Sequence, residues 1–170
     1  IFTSKEALPA GGDVFVATDR FLADRTVLPV TPVAQADCAQ AVTDALAART
    51  GRTVAWCKDL AQVGEQGRLS LARFEAKGHE ELVTLAYTGP EGAIFRDLPA
   101  TATPDGTWRV NDGGLFPLDH FRPLFAFRSK AGLEVAVRWS GDDGDEMDLY
   151  RQDGGTFTSY VAASWPRDDS

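Results

Sequence analysis

Two periodicities divide the chain. In the first third, Cys38, Val42, Ala45 and Leu46 fall at i, i+4, i+7 and i+8, one apolar stripe along a helix. Thr31 suits an N-cap, and Pro32 suits the first helical position. Asp37 near the start and Arg49 near the end match the helix dipole, and Gly51 follows as a C-terminal glycine. The pattern predicts a helix over residues 33–49. Residues 13–17 (Asp-Val-Phe-Val-Ala) read as a short strand after Gly11 and Gly12. Residues 27–33 contain Pro29 and Pro32, which confines them to an extended connection or an edge strand. Residues 52–57, rich in β-formers, read as a strand that returns along the helix.

From Arg68 onward the period changes to two. Short runs rich in β-branched and aromatic residues recur over 68–76, 81–87, 93–98, 107–111, 124–129, 133–140, 147–151 and 156–163. Turn chemistry separates them, for example Thr88-Gly89-Pro90-Glu91-Gly92, Lys130-Ala131-Gly132 and Asp153-Gly154-Gly155. Leu133, Val135, Val137 and Trp139 alternate with Glu134, Ala136, Arg138 and Ser140, which predicts one buried face and one wet face. Short loops between successive strands favour antiparallel pairing. The expected fold is α+β: one N-terminal helix packed on a long antiparallel β-meander of about seven strands, curled into a barrel or sandwich. The chain of 170 residues fits a single domain over 1–170.

Charge narrows the partners. The net charge is −8. It is uneven, with 9 basic and 11 acidic residues in 1–85 but 8 and 14 in 86–170. No Lys/Arg cluster offers a face to a phosphate backbone, so nucleic acid and anionic membrane surfaces are poor partners. A basic protein is the electrostatically easier partner, and simple solubility is the plainer use of the same charge. No apolar run approaches the ~20 residues of a membrane span.

Two cysteines, Cys38 and Cys57, suit one disulfide and an oxidising compartment, periplasmic or extracellular. Two buried free thiols are the alternative. The chain begins Ile1-Phe2-Thr3, for which a removed signal peptide is one explanation.

Candidate chemistry is sparse. The turn Ser140-Gly141-Asp142-Asp143-Gly144-Asp145-Glu146 gathers carboxylates of the kind Ca²⁺ uses, but it fails the EF-hand spacing, and a solvated Asp/Gly turn is the simpler reading. His79 and His120 are far apart, and with two cysteines they make a poor zinc set. No G-x-S-x-G elbow, phosphate loop or dinucleotide fingerprint occurs, so no cofactor is expected. Residues 111–123 combine turn formers with Leu115, Phe116, Leu118 and Phe121, as a packed lid or recognition loop does. Trp56, Trp108 and Trp139 suit core positions, while Trp165 beside Pro166 suits an exposed one.

These features point to an exported, non-enzymatic binding domain, one use of which is to inhibit or neutralise a basic protein. Its expected contact residues are Asp142, Asp143, Asp145, Glu146, Phe116, His120 and Trp165. The alternatives are a carrier of a small molecule or lipid in an apolar cavity, and a carboxylate-dependent hydrolase of envelope polysaccharide.

Overall fold

The computed structural model describes residues 15–90, 92–102, 108–109, 118, 121–140 and 144–166. They form a mostly β structure: a nearly closed barrel-like sheet with few helices. In chain order the elements are α1 (Asp19–Leu22), β1 (Arg25–Leu28), β2 (Val30–Pro32), α2 (Gln40–Thr50), β3 (Val54–Val63), β4 (Gly67–Phe74) and β5 (Glu80–Gly89). They continue with β6 (Gly92–Ala102), β7 (Trp108–Arg109), β8 (Phe121–Ser129), β9 (Gly132–Ser140), β10 (Gly144–Asp153) and β11 (Thr156–Pro166).

The sheet order is β1-β8-β9-β10-β11-β6-β5-β4-β3-β2, with β7 paired to β6. It joins two antiparallel meanders, β3 to β6 and β8 to β11. Their junction is parallel, where Thr156 of β11 meets Phe95 of β6. A single continuous meander is therefore corrected to two, because β11 lies beside a strand some sixty positions earlier and runs in the same direction. The two ends of the path, β1 and β2, are consecutive in sequence with Pro29 between them. Both are edge strands, as Pro29 and Pro32 require.

The predicted helix is seven residues too long at its start. Residues 33–39 are held along β3 by backbone bonds from Val33 N to Leu60 O (3.1 Å), Asp59 N to Ala36 O (2.9 Å) and Cys38 N to Cys57 O (3.1 Å). Those ladder bonds satisfy groups that helix formation would otherwise pair, so pairing with β3 wins over Ala-rich propensity. Thr31 and Pro32 belong to β2, opposite Gln62 and Ala61. The helix starts after Ala39 with no side-chain cap and ends at Gly51, left-handed with φ 63°. Cys38 and Cys57 are disulfide-bonded with Cα atoms 5.4 Å apart. The expected strand over 13–17 does not form at residues 15–17, and the Phe15 ring instead packs on Phe21, Phe125 and Phe127.

The core follows the alternation. Leu69, Leu71, Val83, Leu85, Tyr87, Ile94, Leu133, Val135, Val137 and Phe157 point inward and fill the barrel. Outside, Leu46 and Val42 of α2 pack with Ala72, Phe74 and Ala86. A second outer cluster joins Phe127, Ala136 and Leu149 beneath Phe15, Phe21 and Phe125. The wet face expected of β9 is thus corrected: Glu134 and Ala136 are both fully buried, because N-terminal residues and neighbouring strands cover that face.

Candidate binding site

Register places the strand ends that flank residues 103–107, 110–120 and 141–143 at one end of the barrel. Phe121 opens β8 opposite Trp139, Ser140 closes β9 opposite Asp145, and Gly144 opens β10 opposite Pro166. Ala102 closes β6 opposite Trp108, and Glu80 opens β5 opposite Thr101. Trp56 lies near the start of β3 at this same end. The strand ends flanking 110–120 and 141–143 therefore meet here, together with the backbone of all four tryptophans. The opposite end carries tight turns such as Lys130-Ala131-Gly132 and Asp153-Gly154-Gly155.

Of the predicted contact residues, Asp142, Asp143, Phe116 and His120 lie outside the described residues. Trp165 pairs through its backbone with Asp145. Asp145 lies 3.5 Å from the Arg138 guanidinium, its side chain only 16% exposed. Glu146 is half-buried on β10 opposite Trp139. Asp148, two residues further along, accepts from the Tyr150 hydroxyl (3.1 Å) and the Ser159 hydroxyl (2.7 Å). Burial, then the Asp148 carboxylate, pushes the Tyr150 phenol well above its ordinary value, so this hydroxyl is a donor at every physiological pH. On the barrel's inner side at the same end, Arg73 pairs with buried Glu81 at 3.3 Å. Among the described residues no three His, Cys, Asp or Glu side chains come together to hold a metal ion.

A cavity of about 390 Å³ opens at the seam, where β2 and β3 approach β8. Val30, Val33, Leu60, Phe121, Leu124 and Phe125 supply apolar lining. Among the described residues, Arg122 and Gln35 are the polar side chains lining it. Beside it the β8–β9 register shifts between Pro123 and Phe125. Local sequence signals only the proline, since the opposing wall comes from β2 and β3.

A buried charged cluster that sequence reasoning missed is structural. Glu134 of β9 is fully buried. Its Oε1 accepts from Arg25 Nη2 (3.2 Å), Ser129 Oγ (2.9 Å) and Arg151 Nε (3.1 Å). Its Oε2 accepts from Arg25 Nε (2.7 Å) and the Tyr160 hydroxyl (2.9 Å). Burial pushes its pKa up, but the bonds from Arg25, Tyr160 and Ser129 outweigh burial and hold it below the usual carboxylate value. With both oxygens saturated, it offers no lone pair to a substrate proton.

Compared with models of protein families, with curated proteins and with solved structures, the chain matches none of them.

Proposed function

We propose that the protein is an exported, non-enzymatic binding domain whose recognition surface is the end of the barrel where the long connections meet. The observation that carries this reading is that convergence, above a barrel filled by its own side chains. Rigid strands that present several loops at one end are the usual scaffold for recognition. The Cys38–Cys57 disulfide supports an oxidising compartment. The acidic sequence from Asp142 to Glu146 supports a basic protein as partner, through steering by opposite charge.

Capture of basic proteins from an extracellular or periplasmic extract, run at low and high salt, tests it. Salt-sensitive capture that weakens at least tenfold in an Asp142→Asn/Asp143→Asn/Glu146→Gln variant is the expected result. Capture that ignores both salt and the variant removes the basic-partner reading.

A second reading, a carrier of small molecules, draws on the seam cavity. Its volume lies within the roughly 300–1,000 Å³ range of small-molecule sites. The hydrolase alternative gains no support from Glu134, which is committed to its donors.

A further inference from the structure

We propose that the free edge of β11, over residues 158–164, pairs with the same edge of a second copy of this chain, antiparallel about a two-fold axis at Ala162. This is independent of both the recognition reading and the carrier reading.

Along one edge, β10 accompanies β11 from Thr156 to Pro166. Along the other, among the described residues, β11 meets β6 at Thr156 alone, opposite Phe95, with a bond from Phe95 N to Gly155 O (3.0 Å). Further on, β5 fills one edge of β6 and β7 takes the second at Thr101 and Ala102. Exposure records the result. Phe157 is buried, yet every one of residues 158–164 is exposed, on both faces of the strand. Tyr160 and Val161 are among the exposed large hydrophobic side chains. An open edge is a template for another strand, and proteins ordinarily guard one with a charge, a proline, a bulge or a very short strand. Residues 156–164 contain no charged side chain and no proline. The register shift of β11 lies at Tyr160, and pairing with β10 is regular from Val161 onward. By contrast β1 has four residues, one of them Arg25, and β2 has three and ends in Pro32.

The make-up of the run selects a second copy. With a net charge of −8, two copies repel in general, and an uncharged edge is where they approach at least cost. A strand from a basic protein finds no carboxylate on these seven side chains. Val161 lies opposite Leu149 on the outer face, and Ala163, two positions on, shares that face. An antiparallel pair about Ala162 sets Val161 of each copy beside Ala163 of the other, so large meets small. Ser159 and Ser164 lie opposite Tyr150 and Glu146, which share the inner face, and the same pairing brings Ser159 of each copy toward Ser164 of the other. Hydroxyl thus faces hydroxyl, and no like charges meet within the run. A two-fold contact uses the edge once and closes at a dimer.

The test is sedimentation of the intact, disulfide-bonded chain over a concentration series, with amide exchange read residue by residue. A monomer–dimer equilibrium is expected, with protection that rises with concentration only at residues 158–164. Added salt is expected to strengthen the dimer, because it screens the repulsion between two acidic copies. That is the reverse of its effect on capture of a basic protein, so the two readings fail separately. Ala162→Lys and Ala162→Glu, at an exposed position, are each expected to weaken the dimer roughly tenfold, and an equimolar mixture of the two is expected to restore it. Unchanged near-ultraviolet circular dichroism shows that both variants fold. If either does not, the protection map of the natural chain decides alone. A monomer at every concentration, assemblies larger than a dimer, protection centred elsewhere, a dimer indifferent to both substitutions, or a mixture no tighter than its components overturns the proposal.

Discussion

Arg25 and Glu134, separated by 109 positions, meet through two hydrogen bonds of 2.7 and 3.2 Å. Arg25 also donates to the Phe21 carbonyl (2.8 Å) and stacks 4.0 Å over the Phe21 ring. One side chain thus ties α1, the edge strand β1 and the buried carboxylate of β9 together. Arg151, itself stacked 4.0 Å over Tyr160, closes the cluster from β10 and β11.

Glu134→Gln leaves Arg25 and Arg151 without their anion in a partly desolvated site. Breaking a buried pair from one side costs roughly 3–5 kcal/mol, and the lower end is expected because Arg151 keeps some water. Urea unfolding measures the loss. Amide exchange at residues 25–28 is expected to quicken further in Arg25→Gln than elsewhere in the sheet, because that variant frees β1 locally.

Acid tests the same cluster. Glu134 has a folded pKa below its ordinary value of 4.5, so its contribution is complete above that value and is lost as pH falls through the folded pKa. Asp97 acts in the same direction from an ordinary 3.8: burial raises it, but Arg49 and Thr84 hold it lower. The gap in urea midpoint between the natural chain and Glu134→Gln is therefore expected to narrow as pH drops from 6 to about 3. A gap that stays constant over this range contradicts the assignment.

The disulfide closes a separation of 19 residues. Its removal in a Cys38→Ala/Cys57→Ala variant is expected to cost roughly 3 kcal/mol, mainly through the freedom returned to the unfolded chain. Alkylation without reductant is expected to leave the intact mass unchanged, since both thiols are engaged.

Tyr87 lies inside the barrel wall against two glycines. A Cβ at Gly67 would stand 2.6 Å from the Tyr87 ring, and one at Gly89 would overlap its hydroxyl. Gly89→Ala is expected to destabilise by roughly 1–3 kcal/mol, as overpacking does. Adding Tyr87→Phe is expected to recover part of that loss, because it removes the nearest atom. Thermal unfolding of the single and double variants reads the coupling.

Much of the local structure was legible in the chain. The strands after Arg68 stand where period two and Gly-rich turns put them, and Gly51 ends the helix that the Val42–Leu46 spacing announced. With only two cysteines, a Cys38–Cys57 bridge was the favoured reading over two free thiols, and it forms. These features depend on neighbours a few residues away, or on simple counting, so a one-dimensional reading reaches them.

What covers each face was decided only by the fold. Period two marks Glu134 as a wet position, yet Arg25, Arg151 and Tyr160 arrive from three other strands to bury and saturate it. Residues 33–39 have helical composition, yet β3 offers them a ladder and they stay extended. The seam cavity forms only where β2 and β3 come to face β8, some sixty to ninety positions later. Propensity and periodicity act within a turn or a pleat, whereas burial, ion pairing and cavity shape arise between segments distant along the chain. That distance is closed by the tertiary structure alone.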